Sequence, residues 1–437
     1  MALSIPVAPF EGDPSLPEKV DVAIIGGGII GVVTALTLAE RGVSAAVFEK
    51  GRIAGEQSGR NWGWVRQMGR DVAELPLTMT SLRLWGELNE RIGAETGFRR
   101  TGITYLCYNK ADLANWGGWH EKGKQYGMDS RMLSAREVTE LLPGSAGGLL
   151  AGLHTPTDGR AEPWIAAPAI AEAARRKGAA ILTDCAVRGI ETTAGRLSAV
   201  VTERGTVRCD AAVLAGGAWS RLFAGNLGID FPQLKVIGTV ARVTGVEGIS
   251  EMPVGAGNFA HRKRLDGDYT VALRNANIAP ILPDNFRLAF EYLPSLLETW
   301  RELKLRFGPS FFKELAVKRH WSNDARTIFE EVRTLDPAPN HAFTRKALAN
   351  LSRAFPAFAR ARVVQEWAGV IDVTPDAVPV ISAIGTLPGF YIASGFSGHG
   401  FGIAPAAGQL AADLVMGTTP IVDPRPFGIA RMRPGLK

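Results

Sequence analysis

A short apolar stretch followed by three closely spaced glycines constrains the fold more than any other feature of the chain. Val20 and residues 22–25 form a short apolar run of the kind that makes a buried parallel strand. Gly26, Gly28 and Gly31 follow in the spacing G-x-G-x-x-G, and a helix-competent segment comes next. A second apolar run then ends at Glu49. This order of strand, turn, helix and strand predicts an α/β fold that begins with a Rossmann-like unit.

The glycines of such a turn have separate physical roles. The first permits the tight turn, the second lets the backbone approach a pyrophosphate, and the third lets the helix pack closely on the strand. The helix N-terminus then offers unpaired N–H groups and a favourable dipole to the phosphates. Glu49 lies 23 residues after Gly26. A carboxylate at this position can accept hydrogen bonds from the ribose hydroxyls, and its charge disfavours a 2′-phosphate. The sequence therefore predicts a dinucleotide site that does not take NADP.

Two further segments favour FAD over NAD at this site. Residues 54–71 lie just beyond the acidic residue and can continue along a longer cofactor. Near the C-terminus, an apolar run at 389–394 leads into four glycines within eight residues, and a helix is expected over 405–416. The N-terminus of that helix would stabilise the negative charge of a reduced flavin. No second G-x-G-x-x-G follows another strand, so a separate NAD(P)H site is not expected.

Composition sets limits on fold and partners. A chain of 437 residues is expected to form two structural units. The formal charge of +6 is spread along the chain without a dense basic tract, so nucleic acid is not an expected partner. The three cysteines are far apart and odd in number, which favours a reducing compartment over a disulfide framework.

Targeting and metal signals are missing from the sequence. The N-terminus has no positive start followed by an apolar run, and no stretch approaches the ~20 apolar residues of a transmembrane helix. No Cys/His spacing fits a metal site. We therefore expect a cytoplasmic protein with no transmembrane anchor and no metal.

These motifs resemble the D-amino-acid-oxidase superfamily of FAD-dependent amine oxidoreductases, which includes glycine and sarcosine oxidases. The resemblance runs from residue 21 to residue 417. The stretches most similar to bacterial L-amino acid deaminases and broad-specificity L-amino acid oxidases are GEQSGR (55–60), HRKRLDGDYTV (261–271) and WAGVIDVTPDAVPVIS (367–382). The resemblance implies a Rossmann-like FAD-binding domain, discontinuous in sequence, with an α+β substrate domain built from insertions.

This organisation gives expected domain boundaries. The FAD-binding domain would comprise residues 20–71, 146–231 and 346–435, and the substrate-binding domain residues 72–145 and 232–345. Within the insertions we expect strands at 103–108, 236–243 and 269–273 and a helical run over 285–315. Residues 286–318 match an insertion near the membrane in the related deaminases. We expect a packed helical hairpin or a homodimer contact here, and contact with a membrane stays open.

The FAD-contacting residues are expected in the glycine turns and in the strand ends beside them. Sarcosine oxidases attach FAD through a cysteine in the segment matching 369–373, which reads Gly-Val-Ile-Asp-Val here. The resemblance therefore implies non-covalent FAD. The predicted contacts are Gly26, Gly28, Ile29, Ile30, Gly31, Glu49, Lys50, Ser58, Arg60, Asn61, Gly63, Trp64, Val187, Gly216, Trp219, Gly398, His399, Gly400, Phe401 and Gly402.

Substrate contacts follow from the chemistry of an α-amino acid. Its carboxylate is best held by an arginine, whose fork geometry suits bidentate pairing. Arg262 falls where the L-amino acid deaminases carry their carboxylate-binding arginine, and Arg66 is the second candidate because some sarcosine oxidases use an arginine from this loop. The expected aromatic walls are Trp219, Trp367, Trp64 and Phe396.

The resemblance implies oxidative deamination of L-amino acids, apolar and aromatic ones included, to a keto acid, ammonia and hydrogen peroxide. Hydride transfer would be driven by the flavin, with oxygen as electron acceptor, and no side chain is assigned as catalytic. The segment 369–373 lacks the arginine of glycine oxidase-like members, which favours the L-amino acid branch. Three alternatives stay open: a dehydrogenase or deaminase with a quinone acceptor, an oxidase of N-methyl or cyclic amino acids, and a flavin-binding subunit without turnover.

Overall fold

The computed structural model describes residue 5 and residues 7–299 and 303–436. Within these ranges the strands are β1 Val22–Ile25, β2 Ala45–Phe48, β3 Trp64–Val65, β4 Ile103–Cys107, β5 Arg131–Ser134, β6 Ala151–Thr155, β7 Gly159–Arg160, β8 Ala180–Leu182, β9 Val187–Thr193, β10 Arg196–Thr202, β11 Gly205–Arg208, β12 Ala211–Leu214, β13 Leu234–Thr244, β14 Val254–Ala256, β15 Phe259–Lys263, β16 Tyr269–Ala272, β17 Asn277–Pro280, β18 Leu303–Arg306, β19 Arg362–Val373, β20 Val380–Ala383 and β21 Phe390–Ser394. The α-helices are α1 Ile29–Glu40, α2 Gln57–Arg60, α3 Leu75–Ile92, α4 Lys110–Lys124, α5 Ala135–Leu141, α6 Pro163–Arg176, α7 Ser220–Asn226, α8 Pro283–Arg287, α9 Ala289–Thr299, α10 Pro309–Leu315, α11 Ile328–Glu331, α12 His341–Ala354 and α13 Gly400–Met416. Short 3-10 helices cover Val72–Glu74, Gly217–Trp219, Pro356–Arg360, Arg425–Phe427, Ile429–Arg431 and Pro434–Leu436.

The predicted Rossmann-like start is confirmed. A six-stranded sheet has the order β20-β21-β12-β1-β2-β8. Its strands run parallel except β20, which pairs antiparallel with β21. Helix α1 is buried from Ile29 to Leu38 because it packs against both α6 and α13, and a helix that is apolar all round requires such burial.

A ten-stranded mixed sheet forms the second layer of the molecule. Its order is β18-β17-β13-β16-β15-β14-β4-β6-β5, and β19 pairs with β13. The β13–β19 pairing is antiparallel and runs from Leu234 opposite Val373 to Thr244 opposite Arg362, with one shift of register between Arg242 and Val243. Helix α12 packs on β13, β15 and β16. The strands predicted at 103–108, 236–243 and 269–273 are confirmed as β4, β13 and β16.

The membership of the sheets differs from the expected domain boundaries at two places. Strand β6 pairs with β4 and β5, and β19 pairs with β13, so both lie in the ten-stranded sheet. The sequence division placed residues 146–231 and 346–435 in the FAD-binding part. Pairing between distant strands leaves no trace in local composition, so these two strands were not assigned to the second sheet. The rest of the division stays a prediction.

The continuous helical run expected over 285–315 is wrong. Helices α8 and α9 are followed by the strand β18, which pairs parallel with β17, and α10 comes after it. In β18, leucines at 303 and 305 alternate with Lys304 and Arg306, which is the period of a strand. Several apolar side chains of this region are exposed, among them Phe286, Phe290 and Phe307. Across the described ranges, no helix is both long and apolar enough to cross a membrane. The homodimer contact stays a prediction.

Candidate dinucleotide and substrate site

An open cavity lies where the parallel strands of the six-stranded sheet end. The last residues of β1, β2 and β12 line it, together with the turns that follow them. Such a crevice at the carboxyl ends of parallel strands is where this architecture binds ligands. The predicted FAD contacts that line the cavity are Gly26, Gly28, Ile29, Ile30, Glu49, Lys50, Ser58, Asn61, Val187, Gly216, Trp219, Gly398, Gly400 and Phe401.

The first and third glycines of the motif are required by close contacts of the backbone. Gly26 has φ +117°, and a Cβ there would lie 2.5 Å from the Ala215 carbonyl oxygen. A Cβ at Gly31 would lie 2.1 Å from the Gly26 carbonyl oxygen. The Ile29 N–H donates to Ser58 Oγ at 2.9 Å, so the loop after β2 is joined to the start of α1. The glycine turn thus has the compact form that a pyrophosphate site needs.

Glu49 faces this glycine turn from the end of β2. Its Oε2 accepts a hydrogen bond from the Gly27 N–H at 2.7 Å, and its Oε1 accepts one from the Gly51 N–H at 2.7 Å. Burial raises the pKa of Glu49, although Lys50 and the two N–H donors favour the ionised form. A carboxylate held between two backbone donors beside the turn fits the ribose of a dinucleotide. These residues therefore fit an ADP-containing cofactor.

Lys50 and Trp219 lie together beside Glu56. The Lys50 ammonium is 2.7 Å from Glu56 Oε1 and 4.8 Å from the centre of the Trp219 ring. Trp219 Nε1 donates to Glu56 Oε1 at 3.0 Å. Because Lys50 directly follows the ribose-binding candidate, Trp219 belongs to the nucleotide part of the cavity. Its predicted roles as an FAD contact and as a wall for the substrate both stay predictions.

The other end of the cavity is formed by the N-terminus of α13. Phe396, Gly398, Gly400 and Phe401 line it, and the helix begins at Gly400, five residues earlier than expected. Unpaired N–H groups and the dipole favour negative charge at this point. His399 points away from the lining, with Nδ1 3.1 Å from Glu74 Oε2. Burial and the charge of Arg70 lower the pKa of His399, which favours the neutral imidazole.

Several predicted FAD contacts lie behind the lining of the cavity. Arg60 is buried, with Nη1 2.6 Å from Asp336 Oδ1 and 2.8 Å from the Ala368 carbonyl oxygen. The Gly402 carbonyl oxygen accepts hydrogen bonds from Ser81 and Trp85. Trp64 packs on Tyr105. Their roles as FAD contacts stay predictions, together with those of Gly31, Gly63 and His399.

An aromatic group extends from β3 to β4. The Trp64 and Tyr105 ring centres are 5.6 Å apart, and Tyr105 stacks on Trp116 at 4.1 Å. Two guanidinium groups approach the same Tyr105 ring, Arg66 at 5.6 Å and Arg274 at 4.4 Å. Sequence reasoning found Arg66 but missed Arg274, which directly follows the predicted strand at 269–273. An arginine at the end of a strand beside the HRKRLDGDYTV motif was the signal available.

Arg262 lies in a closed environment. Its guanidinium is fully buried, with Nη1 2.8 Å from Glu162 Oε1. Its Nε donates to the Trp62 carbonyl oxygen at 2.6 Å, and its Nη2 donates to Thr270 Oγ1 at 3.3 Å. A substrate carboxylate would have to compete with Glu162 for this group. The role of Arg262 as carboxylate anchor stays a prediction.

Trp367 is also closed off. It is 1% exposed, and its Nε1 donates to the Arg60 carbonyl oxygen at 2.9 Å. It packs with Ile5 and Val240 in a small apolar cluster. Its role as a substrate wall stays a prediction.

Among the described residues, no group of three or more His, Cys, Asp or Glu side chains is placed to hold a metal ion.

Comparison with solved structures gives close neighbours. The structure of L-amino acid deaminase from Proteus myxofaciens in complex with anthranilate is 33% identical, with a TM-score of 0.95 over 99% of this chain and 98% of that chain. L-proline dehydrogenase from P. horikoshii is 26% identical, with a TM-score of 0.77 over 97% of this chain and 100% of that chain.

The chain also matches characterised protein sequences and a family model. The mitochondrial sarcosine dehydrogenase of Homo sapiens is 25% identical over 96% of this chain, which spans only 42% of that relative's length. The family model described as FAD dependent oxidoreductase, DAO, matches residues 21–414. With this match and the geometry of the cavity, the chain belongs to the DAO family of FAD-dependent oxidoreductases.

Proposed function

We propose that this chain catalyses the FAD-dependent oxidative deamination of L-amino acids to keto acids and ammonia. One observation carries the proposal: arginines lie next to the end of the cavity formed by the N-terminus of α13. His399 sits between two glycines of the cavity lining, and Arg70 and Arg66 face it. Arg66 and Arg274 approach the same Tyr105 ring. The likeness to the Proteus deaminase, whose structure holds anthranilate, supports an amino acid as ligand.

Arg274 is the best candidate to hold the substrate carboxylate. It is half-buried, and its one hydrogen bond within the described residues runs from Nη1 to the Ala256 carbonyl oxygen at 3.2 Å. Its remaining donors need no exchange of partners to bind a carboxylate bidentately. Arg262 stays the alternative anchor, but it would have to give up Glu162 to act.

The chemistry divides between the cofactor and the chain. FAD, when bound, accepts the hydride that leaves the substrate Cα. The chain orients the amino acid through its carboxylate, and the aromatic group of Trp64, Tyr105 and Trp116 shields the reacting carbon from water. The substrate amine gives up its extra proton to solvent before the hydride leaves, so that its lone pair can form the C=N bond of the imine. Water then hydrolyses the released imine to the keto acid and ammonia.

FAD is held without a covalent bond in this proposal. The cysteines Cys107, Cys185 and Cys209 are buried and free, and none of them is among the described residues that line the cavity. Burial raises the pKa of Cys107 to about 11 and that of Cys209 to about 12, so neither thiol is a nucleophile at neutral pH. Denaturation should therefore release FAD into the supernatant.

Oxygen is the electron acceptor that we propose, with hydrogen peroxide as its product. A peroxide-coupled assay of the purified yellow protein across L- and D-amino acids tests the proposal. Peroxide with L-amino acids supports an oxidase. Bleaching of the flavin by L-amino acids without peroxide would instead indicate a dehydrogenase with another acceptor, such as a quinone.

A second candidate is the oxidation of N-methyl amino acids, because the sarcosine oxidase subunit beta of Arthrobacter sp. is 25% identical over 97% of this chain and 93% of its own length. Sarcosine belongs in the same assay. Peroxide with sarcosine and none with primary L-amino acids would favour this second function.

A further inference from the structure

Three arginines gather around the aromatic group beside α13, more than one substrate carboxylate requires. Arg66 and Arg274 both lie within 6 Å of the centre of the Tyr105 ring. Arg66, Glu74, Tyr105 and Asp158 lie close enough to Arg70 to affect the pKa of its guanidinium. The three guanidinium groups therefore lie in one region around Tyr105.

Arg70 is the unusual member of this group. It is 5% exposed, yet its Nε and Nη1 are buried without a hydrogen-bond partner in the described chain. An unpartnered guanidinium inside a protein is costly, because each buried donor loses its water without compensation. Burial lowers the pKa of Arg70 to about 9, so it still carries its charge at neutral pH. The side chain is thus prepared for an anionic partner that the chain itself does not supply.

The acidic residues nearby do not neutralise the three arginines. Glu74 is ionised, and Arg70 and Arg66 contribute to the low pKa of its carboxyl group, so it offsets only one of the three positive charges. Asp158 accepts hydrogen bonds from the Gln67 and Met68 N–H groups, and burial raises its pKa to about 7, so it is only partly ionised. The site therefore keeps a net positive charge. After one α-carboxylate has bound to Arg274, Arg70 still lacks a partner.

We propose that the site is selective for L-amino acids that carry a second carboxylate on the side chain. The inference rests on the proposed function and narrows its substrate class. Arg274 holds the α-carboxylate, and Arg70, with Arg66 beside it, receives the side-chain carboxylate. A carboxylate is the fitting group because one guanidinium can donate two parallel N–H bonds to its two oxygens, and Arg70 has two donors without a partner. An amide of the same shape has one acceptor oxygen and no charge, so it pairs with Arg70 less well than a carboxylate does.

The test compares isosteric pairs that differ only in the second charge. Anaerobic reduction of the bound FAD is followed with L-glutamate against L-glutamine and with L-aspartate against L-asparagine, and L-leucine is included as an apolar reference. We expect each acid to exceed its amide in reduction efficiency by roughly 10- to 100-fold, the range for a hydrogen bond to a charged group. In a second readout without turnover, glutarate should perturb the flavin spectrum at lower concentration than butyrate.

Variants of Arg70 separate this role from a purely structural one. Arg70→Met should remove most of the preference for acid over amide, and Arg70→Lys should retain part of it. Arg196→Met is the matched control, because it removes one positive charge from an exposed position on β10 and should leave the preference unchanged.

The outcomes distinguish this inference from the proposed function on which it rests. Reduction by leucine or the amides equal to or better than reduction by the acids would overturn the dicarboxylate inference and leave the proposed function standing. An acid preference that survives Arg70→Met would overturn the assignment of Arg70. If no amino acid reduced the flavin, the proposed function and this inference would both fail.

Discussion

Arg262 Nη1 lies 2.8 Å from Glu162 Oε1, and neither side chain is exposed. Glu162 precedes α6, and Arg262 lies in β15, so this ion pair joins a helix beside the six-stranded sheet to the ten-stranded sheet. The same Oε1 accepts the Leu265 N–H at 2.8 Å. Breaking a buried pair leaves one uncompensated charge, which destabilises a protein more than loss of an exposed pair.

The two candidate carboxylate anchors are expected to respond differently to substitution. Arg262→Met should lower the free energy of unfolding by about 3 kcal/mol, because the buried Glu162 then keeps only the more distant Arg160, at 3.8 Å, as an ion-pair partner. Arg274→Met should change stability little, since Arg274 is half-buried, but it should raise KM for L-amino acids. Thermal unfolding and steady-state kinetics measure the two effects. A large rise in KM for a stably folded Arg262 variant, with an unchanged KM for Arg274→Met, would show that Arg262 binds the substrate carboxylate.

The third glycine of the turn should not tolerate a side chain. Gly31→Ala places a Cβ 2.1 Å from the Gly26 carbonyl oxygen, so α1 must move away from β1 and FAD binding should be lost. Gly117→Ala is the matched control, because nothing lies within 4 Å of its added Cβ and alanine favours a helix. The FAD content of each purified variant checks this. Full FAD content in Gly31→Ala would contradict the close packing described here.

Glu49 should contribute directly to cofactor affinity. Glu49→Gln replaces a charged acceptor at the glycine turn and should raise the Kd for FAD roughly 10- to 100-fold. Titration of apoprotein with FAD, followed by flavin fluorescence, measures the change. Glu121→Gln, on the exposed face of α4, is the control. Equal affinity in both variants would show that Glu49 does not hold the ribose.

Asp158 should make stability depend on pH. Burial raises its pKa to about 7 in the folded protein, whereas an aspartate in the unfolded chain ionises near ~4. The contribution of this group is therefore fully present below about pH 4 and decreases as the pH rises through about 7. Asp158→Asn cannot ionise, so its stability should fall less between pH 5 and pH 8 than that of the parent protein, by on the order of a few kcal/mol. Parallel pH profiles in thermal unfolding would contradict this.

The nucleotide half of the site was predictable because its signals are local. Gly26 and Glu49 lie on consecutive elements, and the backbone geometry of one turn dictates their residue types. The substrate half was less predictable. Arg262 and Glu162 are 100 residues apart, so their ion pair could not be predicted from local sequence. The motif around Arg262 indicates the correct sheet but does not show which arginine is free to bind a substrate carboxylate. Arg274 meets Tyr105 only because distant strands pair, and local sequence does not encode such pairing.

The central claim is that L-amino acids transfer electrons to FAD bound in this cavity. The most direct measurement is the visible absorbance of the bound flavin under anaerobic conditions, after addition of L-amino acids and then of their D-enantiomers. Our account predicts bleaching by the L-forms, no bleaching by the D-forms, and recovery of the absorbance when air is admitted. A flavin that stays oxidised with every L-amino acid would contradict the account.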